Sequence, residues 1–162
     1  MTEPATPLSS LSDLRVEIDA IDQQLLTLLN RRARVAEKVG EVKKREGTAY
    51  FRPDRVAQVI EHIQQVNHGP LKNPHVAAIW REIMSACLAL ECPPRVAVLG
   101  PAGTFCEQAA IEFFGGAADL MYCANFDEVF HATAAGSAQY GVVGVENSTE
   151  GMVTRSLDLF LH

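Results

Sequence analysis

Apolar residues recur at alternating spacings of three and four near the start of the chain, which is the pattern of a helix with one continuous apolar seam. The seam positions are Leu11, Leu14, Ile18, Ile21, Leu25, Leu28, Val35, Val39 and Val42. They predict one helix over residues 11–44 that ends near Glu46 and Gly47. Such a helix would be about 50 Å long. It could not cover its own apolar side, so the pattern predicts a partner chain.

Arg32 occupies the one seam position where the pattern calls for another Leu or Val. An arginine at a helical interface is costly unless an anion meets it, so the first hypothesis is an anion site within a helical bundle. An ion pair with a glutamate, or a side chain that extends to solvent, would explain Arg32 equally well.

Arg15 and Lys43 lie just beside the seam. Lys43 is about 16 Å from Arg32 along nearly the same face, so both side chains can lean toward one small ligand. Arg15 is roughly 25 Å from Arg32 along the helix and could reach that ligand only from an antiparallel second copy. Residues beside a seam are more often simply solvated, and for Arg15 and Lys43 taken alone that interpretation is favoured.

The pattern changes at Cys92-Pro93-Pro94. Before this segment, Pro53 opens a second helix over residues 54–67 and Asn73 opens a third helix. After it, short apolar runs at 95–100, 120–124 and 140–146 alternate with helical segments, which predicts a parallel α/β layer. We therefore expect an all-helical domain over residues 1–92, followed by residues 95–162, which are few for a complete α/β domain.

The composition is that of an ordinary globular chain, with 48% hydrophobic and 21% charged residues among 162. A net charge of −6 argues against a general nucleic-acid binder. No apolar run approaches the roughly 20 residues needed to span a bilayer. The four cysteines show no CxxC spacing, so we expect reduced thiols in a cytoplasmic protein that does not act at a membrane.

The helical half resembles the all-helical chorismate mutases, and specifically the mutase domain of bifunctional chorismate mutase/prephenate dehydratases. The stretches that carry the resemblance are LRVEIDAIDQQLLTLLNRRARVAEKVGEVK, YFRPDR and WREIMSACLALE. The resemblance implies an intertwined helical homodimer that binds the dianion chorismate without a cofactor or metal. The matching substrate-binding positions are Arg15 (from the partner protomer), Arg32, Lys43, Arg52, Arg55, Val56, Cys87 and Glu91.

By this resemblance, Arg15 and Arg32 would hold the two carboxylates, while Lys43 and Glu91 would be the catalytic residues that donate to the ether oxygen of the breaking bond. Conversion of chorismate to prephenate needs no nucleophile or base, only a folded substrate and stabilised negative charge. Glu91 donates only when protonated, so we expect activity to fall as pH rises. Val56 stands where the family usually has Glu, which predicts a weakened or partly decayed site.

The second half resembles the opening of a prephenate dehydratase domain, through GPAGTF and ENSTEG together. The resemblance implies substrate contacts from Thr104, Glu146, Asn147, Ser148 and Thr149. Physically, backbone N–H groups and the Thr104 hydroxyl at a helix N-terminus suit a carboxylate. Glycine, Asn and Ser are equally common as plain turn and cap residues, and Thr104 with Glu107 has capping-box spacing.

Together these features predict a chorismate mutase of phenylalanine biosynthesis joined to an incomplete dehydratase, because the family's later catalytic and regulatory regions have no counterpart before His162. We expect no dehydratase activity from these residues alone. Two alternatives stay open. The main activity could be prephenate dehydratase beside a weakened mutase site, or the helical half could be a non-catalytic dimerisation module.

Overall fold

The computed structural model describes residues 10–147 and 151–161. Three helices come first: α1 (Leu11–Glu46), α2 (Pro53–Gln65) and α3 (Asn73–Glu91). A small α/β unit follows, with β1 (Arg95–Leu99), α4 (Phe105–Phe114), β2 (Asp119–Cys123), α5 (Phe126–Ala134), β3 (Tyr140–Val142), β4 (Glu146–Asn147), β5 (Gly151–Met152) and α6 (Thr154–Leu159). The predicted order of helices followed by a parallel α/β layer is confirmed.

Helix α1 is a single 36-residue helix with a defined cap at each end. The Ser10 hydroxyl accepts the Asp13 N–H while the Asp13 carboxylate accepts the Ser10 N–H, which forms a capping box. Gly47 ends the helix in the left-handed conformation, at φ 67°. The two caps agree with the helix bounds predicted from the apolar seam.

The first twenty-one residues of α1, Leu11–Arg31, are all exposed. Its last part packs on α3, which also packs on α2. Gly40 makes the α1–α3 approach close: a Cβ at this position would lie 2.9 Å from the Glu91 Cγ and 3.0 Å from its Cβ. The apolar seam predicted for α1 is therefore mostly uncovered within a single chain.

The main sheet has three parallel strands in the order β2-β1-β3. Its central strand β1 is covered on both faces. Val96 and Val98 point into one apolar cluster with Ala110 and Phe114 of α4, whereas Ala97 lies in a second cluster on the α5 side. The sheet is thus the middle layer of a small three-layer unit.

The third strand is shorter than the sequence predicts. The apolar run at 140–146 predicts one strand, but only Tyr140–Val142 pair with β1, and Glu146–Asn147 form a separate two-residue ladder with Gly151–Met152. The pairs with β3 end at Val98 and Val142, one residue before the end of β1, where Leu99 pairs only with Cys123 of β2.

The two halves share a core. Phe51, in the connection between α1 and α2, is 8% exposed and lies in the cluster formed by β1 and α4. The buried Ser85 of α3 accepts the Ala117 N–H at 3.1 Å. Gly115 (φ 87°) lies so close to Ser85 that a Cβ at this position would be 2.3 Å from the Ser85 side chain, so only glycine fits here. Throughout the described ranges, no helix is both long enough and apolar enough to cross a membrane.

A candidate active site between the helices

A pocket of about 520 Å³ lies where the last part of α1 meets the start of α2, the second half of α3 and the end of α4. Its volume suits a small organic ligand. Seven of the eight predicted substrate-binding positions line it: Arg32, Lys43, Arg52, Arg55, Val56, Cys87 and Glu91. The fold therefore brings together residues that are up to 59 positions apart in the sequence.

Lys43 and Glu91 form an ion pair in the wall of this pocket. The Lys43 Nζ donates to Glu91 Oε2 at 3.0 Å and to the Tyr50 carbonyl oxygen at 2.8 Å. The Glu91 side chain is only 8% exposed. A lysine ammonium has three N–H donors, so one donor is left for a ligand while the pair stays intact.

The other cations of the pocket differ in how free they are. Arg52 Nε donates to Asp54 Oδ1 at 3.1 Å, and the hydrogen bond from this guanidinium lowers the pKa of Asp54. Arg32 and Arg55 form no ion pair with any residue that the structure describes. Arg81 also lines the pocket and forms no ion pair with a described residue, so the pocket offers three uncommitted guanidinium groups, which suits an anionic ligand.

Val56 and Cys87 give the pocket two less polar positions. Val56 is half-buried and packs against the Phe51 cluster, so it presents methyl groups where a glutamate would present a carboxylate. Cys87 is a buried free thiol on α3. At Val56 the pocket lacks a strong hydrogen-bonding group.

Arg15 lies apart from these residues. It is exposed on α1, about 25 Å along the helix from Arg32, and does not line the pocket. Because α1 is continuous and extends away from the other elements at this point, Arg15 of the same chain cannot reach the pocket.

At the N-terminus of α4, the Thr104 hydroxyl donates to the Leu99 carbonyl oxygen at 2.8 Å and accepts the Glu107 N–H at 3.2 Å. The Glu107 carboxylate does not complete the predicted capping box. It accepts instead from the Gly103 N–H and from the Tyr122 hydroxyl, and the Tyr122 bond is the main reason that the pKa of Glu107 is lowered. The Gly103 N–H, one of the groups expected to bind a substrate carboxylate, is therefore already bonded to the Glu107 carboxylate.

The other residues of the predicted dehydratase site lie near the end of the described chain. Glu146 is exposed, and its backbone pairs with Met152. Asn147 pairs through its backbone with Gly151. Ser148 and Thr149 fall outside the described residues, so their predicted contacts with substrate stay a prediction.

Sequence reasoning missed Arg81, Tyr50 and Phe113, which also line the pocket. Arg81 could have been found, because it lies three residues before Met84 and seven before Leu88 and so shares the pocket-facing side of α3. Tyr50 acts through its backbone carbonyl, and Phe113 comes from a helix of the other half, so neither leaves a local sequence signal.

Comparison with known proteins identifies both halves. Residues 14–92 match the model of the family "Chorismate mutase type II", and residues 96–162 match that of "Prephenate dehydratase". The chain joins a chorismate mutase domain to a prephenate dehydratase segment. Within the described part of the chain, no group of three or more cysteine, histidine, aspartate or glutamate side chains is placed to hold a metal ion.

Similar proteins carry the same two units in one chain. The bifunctional chorismate mutase/prephenate dehydratase of Pseudomonas aeruginosa is 51% identical over 156 residues, which are 93% of this chain and 43% of that protein. The corresponding proteins of Neisseria gonorrhoeae and Aquifex aeolicus are 50% and 42% identical, over 90% and 95% of this chain and 40% and 44% of their own length. The chain thus spans less than half the length of the relatives it matches.

Proposed function

We propose that the mutase domain converts chorismate to prephenate in the pocket between α1, α2 and α3. The part-buried Lys43–Glu91 pair beside uncommitted arginines is the observation that carries this proposal. Chorismate is a dianion whose rearrangement develops further negative charge on its ether oxygen. A site with fixed N–H donors at that oxygen and cations at the carboxylates lowers the barrier electrostatically.

In this proposal each group has one task. Arg32, supported by Arg55, binds a carboxylate through its guanidinium group. Lys43 directs its third N–H at the ether oxygen, because the Tyr50 carbonyl and Glu91 already hold the other two donors. Glu91 donates to the same oxygen when it carries a proton, and in that state the Lys43 N–H bonds to the carbonyl oxygen of a neutral carboxyl group, so the contact is no longer an ion pair. Binding in one folded conformation supplies the rest of the acceleration.

We further propose that Arg15 reaches the site from a second copy of the chain. Twelve large apolar side chains of α1 are exposed in the single chain: Leu11, Leu14, Val16, Ile18, Ile21, Leu25, Leu26, Leu28, Leu29, Val35, Val39 and Val42. An apolar surface of this extent needs a partner. Antiparallel pairing of two α1 helices would bury it and bring each Arg15 toward the other copy's pocket, giving an intertwined homodimer.

The dehydratase segment would act on prephenate in the longer proteins of its family. With these 162 residues we expect prephenate to accumulate without phenylpyruvate, because they span under half of the bifunctional relatives. The four free thiols support the cytoplasmic location that the sequence predicts.

The test is to incubate the purified chain with chorismate and to measure chorismate, prephenate and phenylpyruvate separately. Arg32→Ala should lower kcat/KM by about 10- to 150-fold, the equivalent of losing one charged hydrogen bond. Arg31→Ala is the matched control, because Arg31 is exposed on α1 and does not line the pocket. No chorismate loss in the unmodified chain, or equal effects of the two variants, would refute the proposal.

The role of Glu91 has its own test. If Glu91 donates as the protonated acid, kcat/KM falls as pH rises, whereas Glu91→Gln keeps an N–H donor at every pH and removes that fall. A flat profile in the unmodified protein, or a Glu91→Gln variant that is slower at all pH values, would contradict this role.

A further inference from the structure

We infer that the dehydratase segment supplies one wall of the mutase pocket, through the side chain of Phe113 on α4. This inference rests on the proposed mutase function. It assigns Phe113 a contact with the substrate, and it makes the activity of one family's domain depend on a residue from the other family's segment.

The first observation is where α4 ends. Phe113 and Phe114 line the same pocket as Arg32, Lys43 and Glu91. Phe114 is 6% exposed and its ring centroid lies 4.9 Å from that of Phe51, so Phe114 belongs to the shared core. Phe113 differs, because it is 55% exposed although its ring packs against both Phe51 and Phe114, at 5.8 Å and 5.0 Å.

An aromatic ring that packs against neighbouring rings and is still half exposed offers a fixed apolar surface to a ligand. Phe113 lines the pocket that the Lys43–Glu91 pair also lines. A ring on this side excludes water from the ligand. Exclusion of water lowers the local dielectric and so strengthens the attraction between arginine and carboxylate groups.

The second observation is that this wall is fixed to α3. The Glu82 carboxylate accepts the Gly116 N–H at 3.3 Å, and the Ser85 hydroxyl accepts the Ala117 N–H at 3.1 Å. These bonds begin three residues after Phe113, and Glu91 lies on the same α3 helix as their acceptors. The distance between the Phe113 wall and the Glu91 end of the pocket is therefore set by direct contacts rather than by a flexible tether.

The experiment compares three variants of the full 162-residue chain. Phe113→Ala removes the wall and should raise KM for chorismate about tenfold with little change in kcat, because it removes apolar contact made with the bound substrate. Phe113→Leu keeps an apolar side chain and should restore most of the affinity. Phe105→Ala is the matched control, since Phe105 is on the same helix, is 89% exposed and does not line the pocket.

Thermal unfolding of each variant accompanies the kinetics. Because Phe113 is more than half exposed, Phe113→Ala should stay folded, and a rise in KM without a matching fall in Tm supports the wall. Equal KM values for Phe113→Ala and Phe105→Ala in an active protein would overturn this inference and leave the proposed function standing. An unmodified chain that does not consume chorismate would overturn both.

Discussion

Gly40→Ala tests whether the close approach of α1 and α3 positions Glu91. The new methyl group would lie 2.9 Å from the Glu91 Cγ, against an ordinary contact of at least 3.4 Å, so α3 must move by about half an ångström. The clashing atoms belong to the base of the Glu91 side chain, and its Cα is already at 3.4 Å, so rotation of the side chain alone cannot relieve the contact.

Two opposing terms set the effect on stability. Alanine is favoured over glycine inside a helix by about 1 kcal/mol. Overpacking typically costs about 1–3 kcal/mol. The free energy of unfolding should therefore fall by about 0–2 kcal/mol, which is small enough for the variant to fold.

The effect on activity should be larger. A shift of this size would lengthen the 3.0 Å contact between Lys43 and Glu91 beyond hydrogen-bond distance. Misplacement of catalytic groups on this scale costs about 10- to 100-fold in rate. We therefore expect kcat/KM for chorismate to fall by that factor, measured from the loss of chorismate and paired with urea unfolding.

The matched control is Gly144→Ala. It makes the same chemical change at a glycine with no atom within 4 Å of the new Cβ, in the dehydratase segment. If Gly40→Ala kept kcat/KM within twofold of the unmodified protein and gained the full helix-propensity stabilisation, the close approach would not be what positions Glu91.

Three further predictions follow from other parts of the structure. Phe51→Ala should lower the free energy of unfolding by about 3–5 kcal/mol in urea, since it empties the core shared by both halves; a loss below about 1 kcal/mol would refute that role. Val56→Glu should lower KM for chorismate by about 10-fold or more by restoring a charged hydrogen bond, at a cost in Tm from lost packing; an unchanged or higher KM would contradict this. The hydrogen bond from Arg155 lowers the pKa of Asp127 below its ordinary value of 3.8, so the stability it provides is complete at neutral pH and is lost as pH falls through the lowered pKa. Tm of Asp127→Asn should therefore be lower than that of the unmodified protein at pH 7 and approach it as the pH falls well below 3.8, and a constant gap would disprove the link.

The elements that the sequence predicted well are those with local start and stop signals. Ser10 and Gly47 cap α1, Pro53 opens α2, and Asn73 opens α3. Arg32 was found because a charged residue interrupts an apolar seam, and such a seam can be recognised from residue spacing alone. The spacing of Lys43 from Arg32 linked these two residues to one ligand, whereas the roles predicted for the pocket residues of α2 and α3 came from resemblance to a family.

The features that the sequence did not predict depend on contacts between distant segments. Nothing near Phe51 shows that its ring lies under β1, and nothing near Phe113 shows which helix it faces. The three-residue length of β3 is set by its pairing with the distant strand β1, whereas the apolar run at 140–146 indicates only a preference for extended backbone. The Glu107 carboxylate was expected to accept the Thr104 N–H at the start of α4. It accepts instead from the Gly103 N–H and from the hydroxyl of Tyr122 on β2.

The join between α3 and β1 has no slack. Three residues, Cys92, Pro93 and Pro94, separate Glu91 from the first residue of the sheet, and two of them are prolines, whose backbone rotation is restricted. The Cys92 N–H donates to Leu88, and the Pro94 carbonyl accepts from Asp119 of β2 at 3.0 Å. The join therefore leaves no flexible hinge between the helical half and the sheet, so a displacement of the start of β1 is also a displacement of Glu91.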